Sequence, residues 1–139
     1  LLDSSGRSAL HTGEKILGKH ATFQGNQCAA AANLLANQSV PSVMVEAFEK
    51  SSGHLADRLI TAIEAGVNAG GEEGPVFSAG VEVAHKVSWP IVDLRVDWDV
   101  EPISKLQTIW DEYQPQVEAY LTRALNPDDA PSYGVPGDM

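Results

Sequence analysis

The chain has 139 residues, 43% of them hydrophobic and 20% charged, a globular balance rather than a disordered one. Its length is that of one domain, with roughly two-thirds of the unfolded surface buried on folding. Nineteen acidic against nine basic residues give a net charge of −10, which repels phosphate backbones and anionic lipid, so neither nucleic acid nor a membrane is an expected partner.

No apolar run approaches the roughly 20 residues that cross a bilayer. The single cysteine, Cys28, excludes an internal disulfide and a cysteine-based zinc site. That suits a reducing compartment, so a cytoplasmic location is expected. The first residue is Leu1 rather than Met, in mid-pattern, which leads to the expectation that the natural N-terminus lies upstream.

Leu1-Leu2 reads as the end of a strand, Asp3-Ser4-Ser5-Gly6 as a turn, and Arg7–Thr12 as the returning strand of a hairpin. Gly13–Gly18 is a loop. Lys19–Gln24 alternates like a strand, and Gly25-Asn26 suits a tight turn. Cys28–Leu35 is ambiguous: four alanines favour a helix, while a short apolar run after a turn fits a buried strand.

Ser39 and Pro41 predict a helix start, with Ser39 as the cap, running to about Lys50 with Met44, Val45 and Phe48 on one side. A second helix is expected from about His54 to Asn68, with Leu55, Leu59, Ala62, Ile63 and Val67 as its apolar face, closed by Gly70-Gly71. Two strands follow, Val76–His85 and Ile91–Trp98. The second alternates, with Val92, Leu94, Val96 and Trp98 on one face and Asp93, Arg95 and Asp97 on the other. A third helix is marked by Ile103, Leu106, Ile109, Trp110, Tyr113, Val117, Tyr120 and Leu121, and Pro115 predicts a kink or break in it. Residues 1–125 thus read as one α+β domain, and 126–139 as an extended tail in which five prolines and glycines deny regular structure.

The stripe of Asp93, Arg95 and Asp97, extended by Asp99 and Glu101, is the first candidate for chemistry. Residues two apart on a strand lie roughly 7 Å apart on one face, so such a stripe can grip a polar substrate or a hard cation. The plainer reading is a solvated or charge-paired sheet face. The cation reading predicts a melting temperature that rises with calcium or magnesium. The four histidines are dispersed without helical metal-site spacing, so no metal or cofactor is expected from them. Cys28 lacks a papain-like or caspase-like setting and reads as a small buried hydrophobe. No Gly-x-Ser-x-Gly elbow is present, and Gly70-Gly71-Glu72-Glu73-Gly74 has no basic residue to hold a phosphate.

Several stretches taken together resemble one family: Asp3-Ser4-Ser5-Gly6-Arg7 with His11-Thr12-Gly13; Cys28 through Asn33 to Asn37; Gly53 through Leu59 and Glu64 through Pro75; Val92 through Asp97; and the tail from Tyr120 to Asp138. The ensemble is similar to the domain-of-unknown-function 1028 family, bacterial proteins placed among the N-terminal-nucleophile (Ntn) hydrolases. The resemblance implies a four-layer α-β-β-α sandwich lacking its N-terminal strands, and it favours a strand for Cys28–Leu35. It implies amide hydrolysis by analogy of fold. An Ntn enzyme uses its terminal α-amine as base beside a Thr, Ser or Cys side chain on the same residue. Leu1 has no such side chain, so this chain is not expected to be competent alone.

The first expectation is therefore the C-terminal portion of an amidohydrolase acting on a small polar amide, with Asn33, Asp93, Arg95 and Asp97 as substrate-binding candidates. The alternative is a non-catalytic binding or assembly module with the same sandwich. An unpaired sheet edge is expected in either case, calling for a homo-oligomer or an N-terminal segment.

Overall fold

The computed structural model describes residues 1–135 and 137. Strands β1 (Ala21–Gly25) and β2 (Cys28–Ala32) form one antiparallel hairpin, and β3 (Ala79–Ala84) and β4 (Pro90–Val96) another. Between them come helices α1 (Val40–Lys50) and α2 (Leu55–Asn68). After them come α3 (Pro102–Tyr113) and α4 (Val117–Leu125). The fold is thus α+β, with two separate two-stranded sheets. Helix α1 lies across β1–β2 and packs on α2, while α2 and α3 cover one face of β3–β4.

The ambiguous alanine run is a strand, shorter than expected. It pairs residue by residue with β1 across the Asn26-Gln27 turn, Gly25 opposite Cys28 and Ala21 opposite Ala32. The turn is tied to α1 by the Glu49 carboxylate, which accepts the Asn26 N–H at 2.6 Å. At the front of the chain, the expected hairpin is reduced to one bridge, Leu2 to Ser8, closed by Asp3 accepting from the Ser5 and Arg7 amides.

Ser39 does not cap α1 with its side chain; its hydroxyl turns to the Asn37 carboxamide oxygen instead. His54 caps α2, its Nδ1 accepting from the Ala56 amide at 3.2 Å. The glycine pair ends α2 as expected: Gly70 N–H donates to Val67 C=O, and Gly71 N–H donates to Gly66 C=O, with both glycines at positive φ. This double return is the Schellman arrangement, which side chains with a Cβ enter poorly.

The core gathers Ala56 and Ile60 of α2, Val81 and Val83 of β3, Val92 and Val96 of β4, Leu106 and Trp110 of α3, and Val117 of α4. Trp110 is fully buried, and its indole N–H donates to Asp57 at 3.1 Å, which satisfies the one polar atom it carries inward. Pro115 breaks the third helix as expected: a 3₁₀ turn, Gln114–Gln116, separates α3 from α4.

Three expectations are corrected. Trp98 does not share the buried face of β4. The regular ladder stops at Ala79 opposite Val96, and beyond it the chain is tied to the β3 side by the Asp99 N–H donating to Phe77 C=O at 2.8 Å. Trp98 is left 75% exposed, stacked on Phe77. The most buried face of α2 is Ala56, Ile60, Ala62 and Gly66; of the predicted stripe only Ala62 is in it, and Leu55 and Val67 are exposed. The tail is not wholly irregular, because Pro127–Asp129 forms a 3₁₀ turn and the Arg123 guanidinium holds Pro131 C=O and the Tyr133 ring. Pro136 and Asp138 of the tail motif lie outside the described residues.

Candidate functional site

The alternation of β4 turns Val92 and Val96 into the core and Asp93, Arg95 and Asp97 outward, where all three are exposed. Across the ladder Asp93 faces Glu82, and Arg95 faces Gly80. Arg95 Nε reaches Asp97 at 3.1 Å, but both side chains are about three-quarters exposed, so the pair is screened and worth about 0–1 kcal/mol. The stripe is therefore a polar surface with one cation between carboxylates, and its groups are free to turn toward a ligand.

Asn33 stands apart from that stripe, just past the end of β2 in the other hairpin. Its carboxamide N–H donates to Leu17 C=O at 3.3 Å. The next residue, Leu34, has φ 54, a left-handed conformation uncommon for a leucine. Hydrogen bonds hold it there on both sides: Leu34 N–H to Leu17 C=O, and Glu73 N–H to Leu34 C=O at 2.7 Å. Lys19 completes the corner, its ammonium reaching Glu73 and Ala36 C=O, both at 3.1 Å. Asn33 thus serves a strap joining residues 17–19, 33–37 and 69–73. Asn33 follows β2, whereas Asp93 and Arg95 lie on β4 and Asp97 just after it.

Two grooves flank α2. One, about 600 Å³, runs along the end of α2 and the start of α3, with Glu64, Glu72 and Glu101 on its walls. The other, about 850 Å³, lies between β2 and α2 and is mostly apolar, lined by Ala29, Phe48, Leu55, Leu59 and Ile63 with Cys28 at its edge. Cys28 is half-buried there rather than sealed in the core. Burial pushes its thiol pKa up, and the Glu49 charge adds to the rise, so at neutral pH the thiol stays protonated. Among the described residues no group of three or more His, Cys, Asp or Glu is placed to hold a metal ion.

Sequence reasoning missed the grooves, the left-handed Leu34 and the Phe77–Trp98 stack, whose rings lie 4.4 Å apart and 5° from parallel. The glycine pair at 70 and 71 was the one available signal for the strap, because it fixes where the 69–73 turn returns.

The fold defines a mixed α/β protein with helices backing two hairpins. The chain belongs to the family of unknown function DUF1028, whose model matches residues 1–106. A crystal structure of a protein from Silicibacter pomeroyi, described by the same family model, superposes with a TM-score of 0.73 at 29% identity. The match covers 81% of this chain and 48% of that one, so the chain spans about half the length of the solved structure it matches. Nothing matches among curated proteins. The family match ends before the tail residues 120–138, which the sequence resemblance had included.

Proposed function

We propose that this chain is part of an Ntn-type amidohydrolase acting on a small polar amide, and that it supplies binding groups rather than the nucleophile. The observation that carries the reading is the layering. Each hairpin has helices on one face only, and the other face of β3–β4 presents Asp93, Arg95 and Asp97. A second helix-backed sheet laid on that face makes an α-β-β-α sandwich. It also brings the stripe to the interface between sheets, where Arg95 holds a carboxylate or carbonyl of the substrate and the aspartates hold its N–H groups.

In that chemistry a Thr, Ser or Cys side chain attacks the amide carbon, and the α-amine of the same residue takes its proton and passes it to the leaving amine. Water then cleaves the acyl bond. The nucleophile comes from an N-terminal segment, either of the same copy or of a second copy in a homo-oligomer. On this reading residues 1–125 form one unit, with 126–139 as an arm, in a bacterial cytoplasm.

The test is to express the polypeptide with everything its gene encodes ahead of Leu1, sequence its mature N-terminus, and measure amine release from small amides. A Thr, Ser or Cys at the terminus is expected. Arg95→Ala should lower kcat/KM about tenfold, a loss of about 1.4 kcal/mol, with an unchanged melting temperature. Another terminal residue, or no amine released from any amide, would end the hydrolase reading.

A non-catalytic assembly module is the second reading. What favours it is Cys28: the only cysteine, it is half-buried at an apolar groove, and burial together with the nearby Glu49 charge disfavours its thiolate. It predicts no amide turnover, with folding unimpaired.

A further inference from the structure

We infer that the C-terminal arm is a tether that fixes the register of β4. Through Arg123, Tyr120 and Tyr113 it pins a bulge at Ile91, and so sets how Asp93, Arg95 and Asp97 are presented. The inference goes beyond the proposed function and holds whether or not the protein hydrolyses anything.

The bulge is the place where the strand can be moved. In the β3–β4 ladder Val92 lies opposite Val83, but Pro90 lies opposite Ala84. Ile91 is therefore one residue extra, with no partner across the ladder. Its neighbour Pro90 has no N–H to donate. Side chains alternate along a strand, so a slip of one residue here turns every later side chain to the other face. Asp93, Arg95 and Asp97 would go inward, and Val92 and Val96 outward. A group that holds Ile91 thus guards the stripe.

Tyr113, the last residue of α3, is such a group: its hydroxyl donates to Ile91 C=O at 3.3 Å. Its ring stacks on that of Tyr120 in α4 across the break at Gln114–Gln116, with centroids 5.9 Å apart and planes 29° from parallel. The Arg123 guanidinium lies 5.8 Å from the centre of the Tyr120 ring and 3.8 Å from that of Tyr133. It also donates to Pro131 C=O at 2.6 Å and to Ala119 C=O at 3.4 Å. A guanidinium is planar and carries several donors, so it can bond carbonyls at its edge while its face meets a ring; an ammonium cannot do both.

The arm is brought back over α4 by the turn at Asn126–Ala130, where Asp129 N–H donates to Asn126 C=O and Ala130 N–H to Pro127 C=O. Val117 is the one fully buried residue of α4, so the helix depends on these surface contacts for its place. Direct contacts therefore run unbroken from Pro131 and Tyr133 to Ile91. The tether lies wholly beyond residue 106, where the family match ends, while the strand it holds lies within the match.

A line of contacts is not by itself coupling, so the test is a double-mutant cycle in the polypeptide carrying everything its gene encodes ahead of Leu1. Amide exchange is read at Ile91–Asp93, with Ala29–Ala32 of the other hairpin as the control. Arg123→Ala and Tyr113→Phe should each speed exchange at Ile91–Asp93 by about threefold to tenfold, through local opening, and leave Ala29–Ala32 unchanged. The double variant should do no more than the larger single one, because both changes cut the same line. Tyr120→Phe keeps the ring and should change nothing, whereas Tyr120→Ala should match Arg123→Ala. Where Arg123→Ala does not fold, Tyr133→Ala takes its place, with a smaller rise at the same residues.

Exchange at Ile91–Asp93 that is unmoved by opening the arm overturns the inference. So do additive effects in the double variant, and so does an equal rise at Ala29–Ala32, which would make the arm a general stabiliser. Amide turnover enters none of these outcomes, so the hydrolase reading can fail while the tether stands, and the reverse.

Discussion

The β1–β2 and β3–β4 hairpins have the same antiparallel pairing and nearly the same length, and their surroundings differ sharply. The second is closed from one side by α2, α3 and α4, and its Val81, Val83, Val92 and Val96 join a core around a fully buried Trp110. The first contributes only Ala30 to the buried set, and around it Leu2, Leu17, Phe23 and Leu34 are exposed. Burial stabilises by about 25 cal/mol per Å² of apolar surface, so bulky valines on a covered face stabilise β3–β4 far more than alanines stabilise β1–β2. The difference teaches that strand pairing fixes the local shape of a hairpin, while the tertiary partner decides how well it is held.

The comparison can be broken most forcefully at Trp110. Trp110→Ala empties the centre of the larger core and strands Asp57 without its donor, and it should cost about 3–5 kcal/mol in denaturant unfolding. A loss below 1 kcal/mol would show that the core is not organised around this ring.

The weaker hairpin is sharpened by Gly25→Ala. A Cβ at Gly25 collides with Val45 and comes to 2.6 Å from the Glu49 carboxylate, the group that holds the turn. About 1–3 kcal/mol should be lost, with amide exchange rising in β1–β2 and unchanged in β3–β4. Equal loosening of both would mean that they unfold as one unit.

Smaller still is Asp97→Ala, which removes a screened partner of Arg95 and should change stability by less than about 1 kcal/mol. A large loss would mean the stripe is structural.

The smallest effect is at Asp3, whose pKa is lowered first by the Arg7 backbone N–H and then by the Arg7 side chain. A lowered folded pKa means the contribution is present above the ordinary carboxylate range and is lost as pH falls through the folded value. Asp3→Asn should therefore remove an acid-side loosening of the 1–9 turn, seen by NMR shifts of Ser5 and Arg7. Shifts at those amides that titrate identically in the variant would point to another group.

Much of the fold was legible because local rules agreed with tertiary ones. The alternation of Val92 to Asp97 set the faces of β4, Pro115 set the break between α3 and α4, and Gly70-Gly71 set the end of α2. These depend on backbone sterics and on a two-residue or four-residue period, which act within a few neighbours. The candidate site was less legible. Asn33 and the β4 stripe were grouped by resemblance, but the coordinates put them on different hairpins, with Asn33 committed to Leu17.

What the sequence by itself determined is the element types, the charged stripe and the family, because each is written in composition, spacing or motif order. What only the tertiary structure decided is which apolar faces are covered. Leu55, Leu59 and Ile63 have the spacing of a core stripe, yet of these only Leu59 packs against the core, whose buried members from α2 are Ala56 and Ile60. Helix periodicity says that a face is apolar, but burial depends on which other surface arrives there, and that surface is set by contacts between residues far apart in the chain.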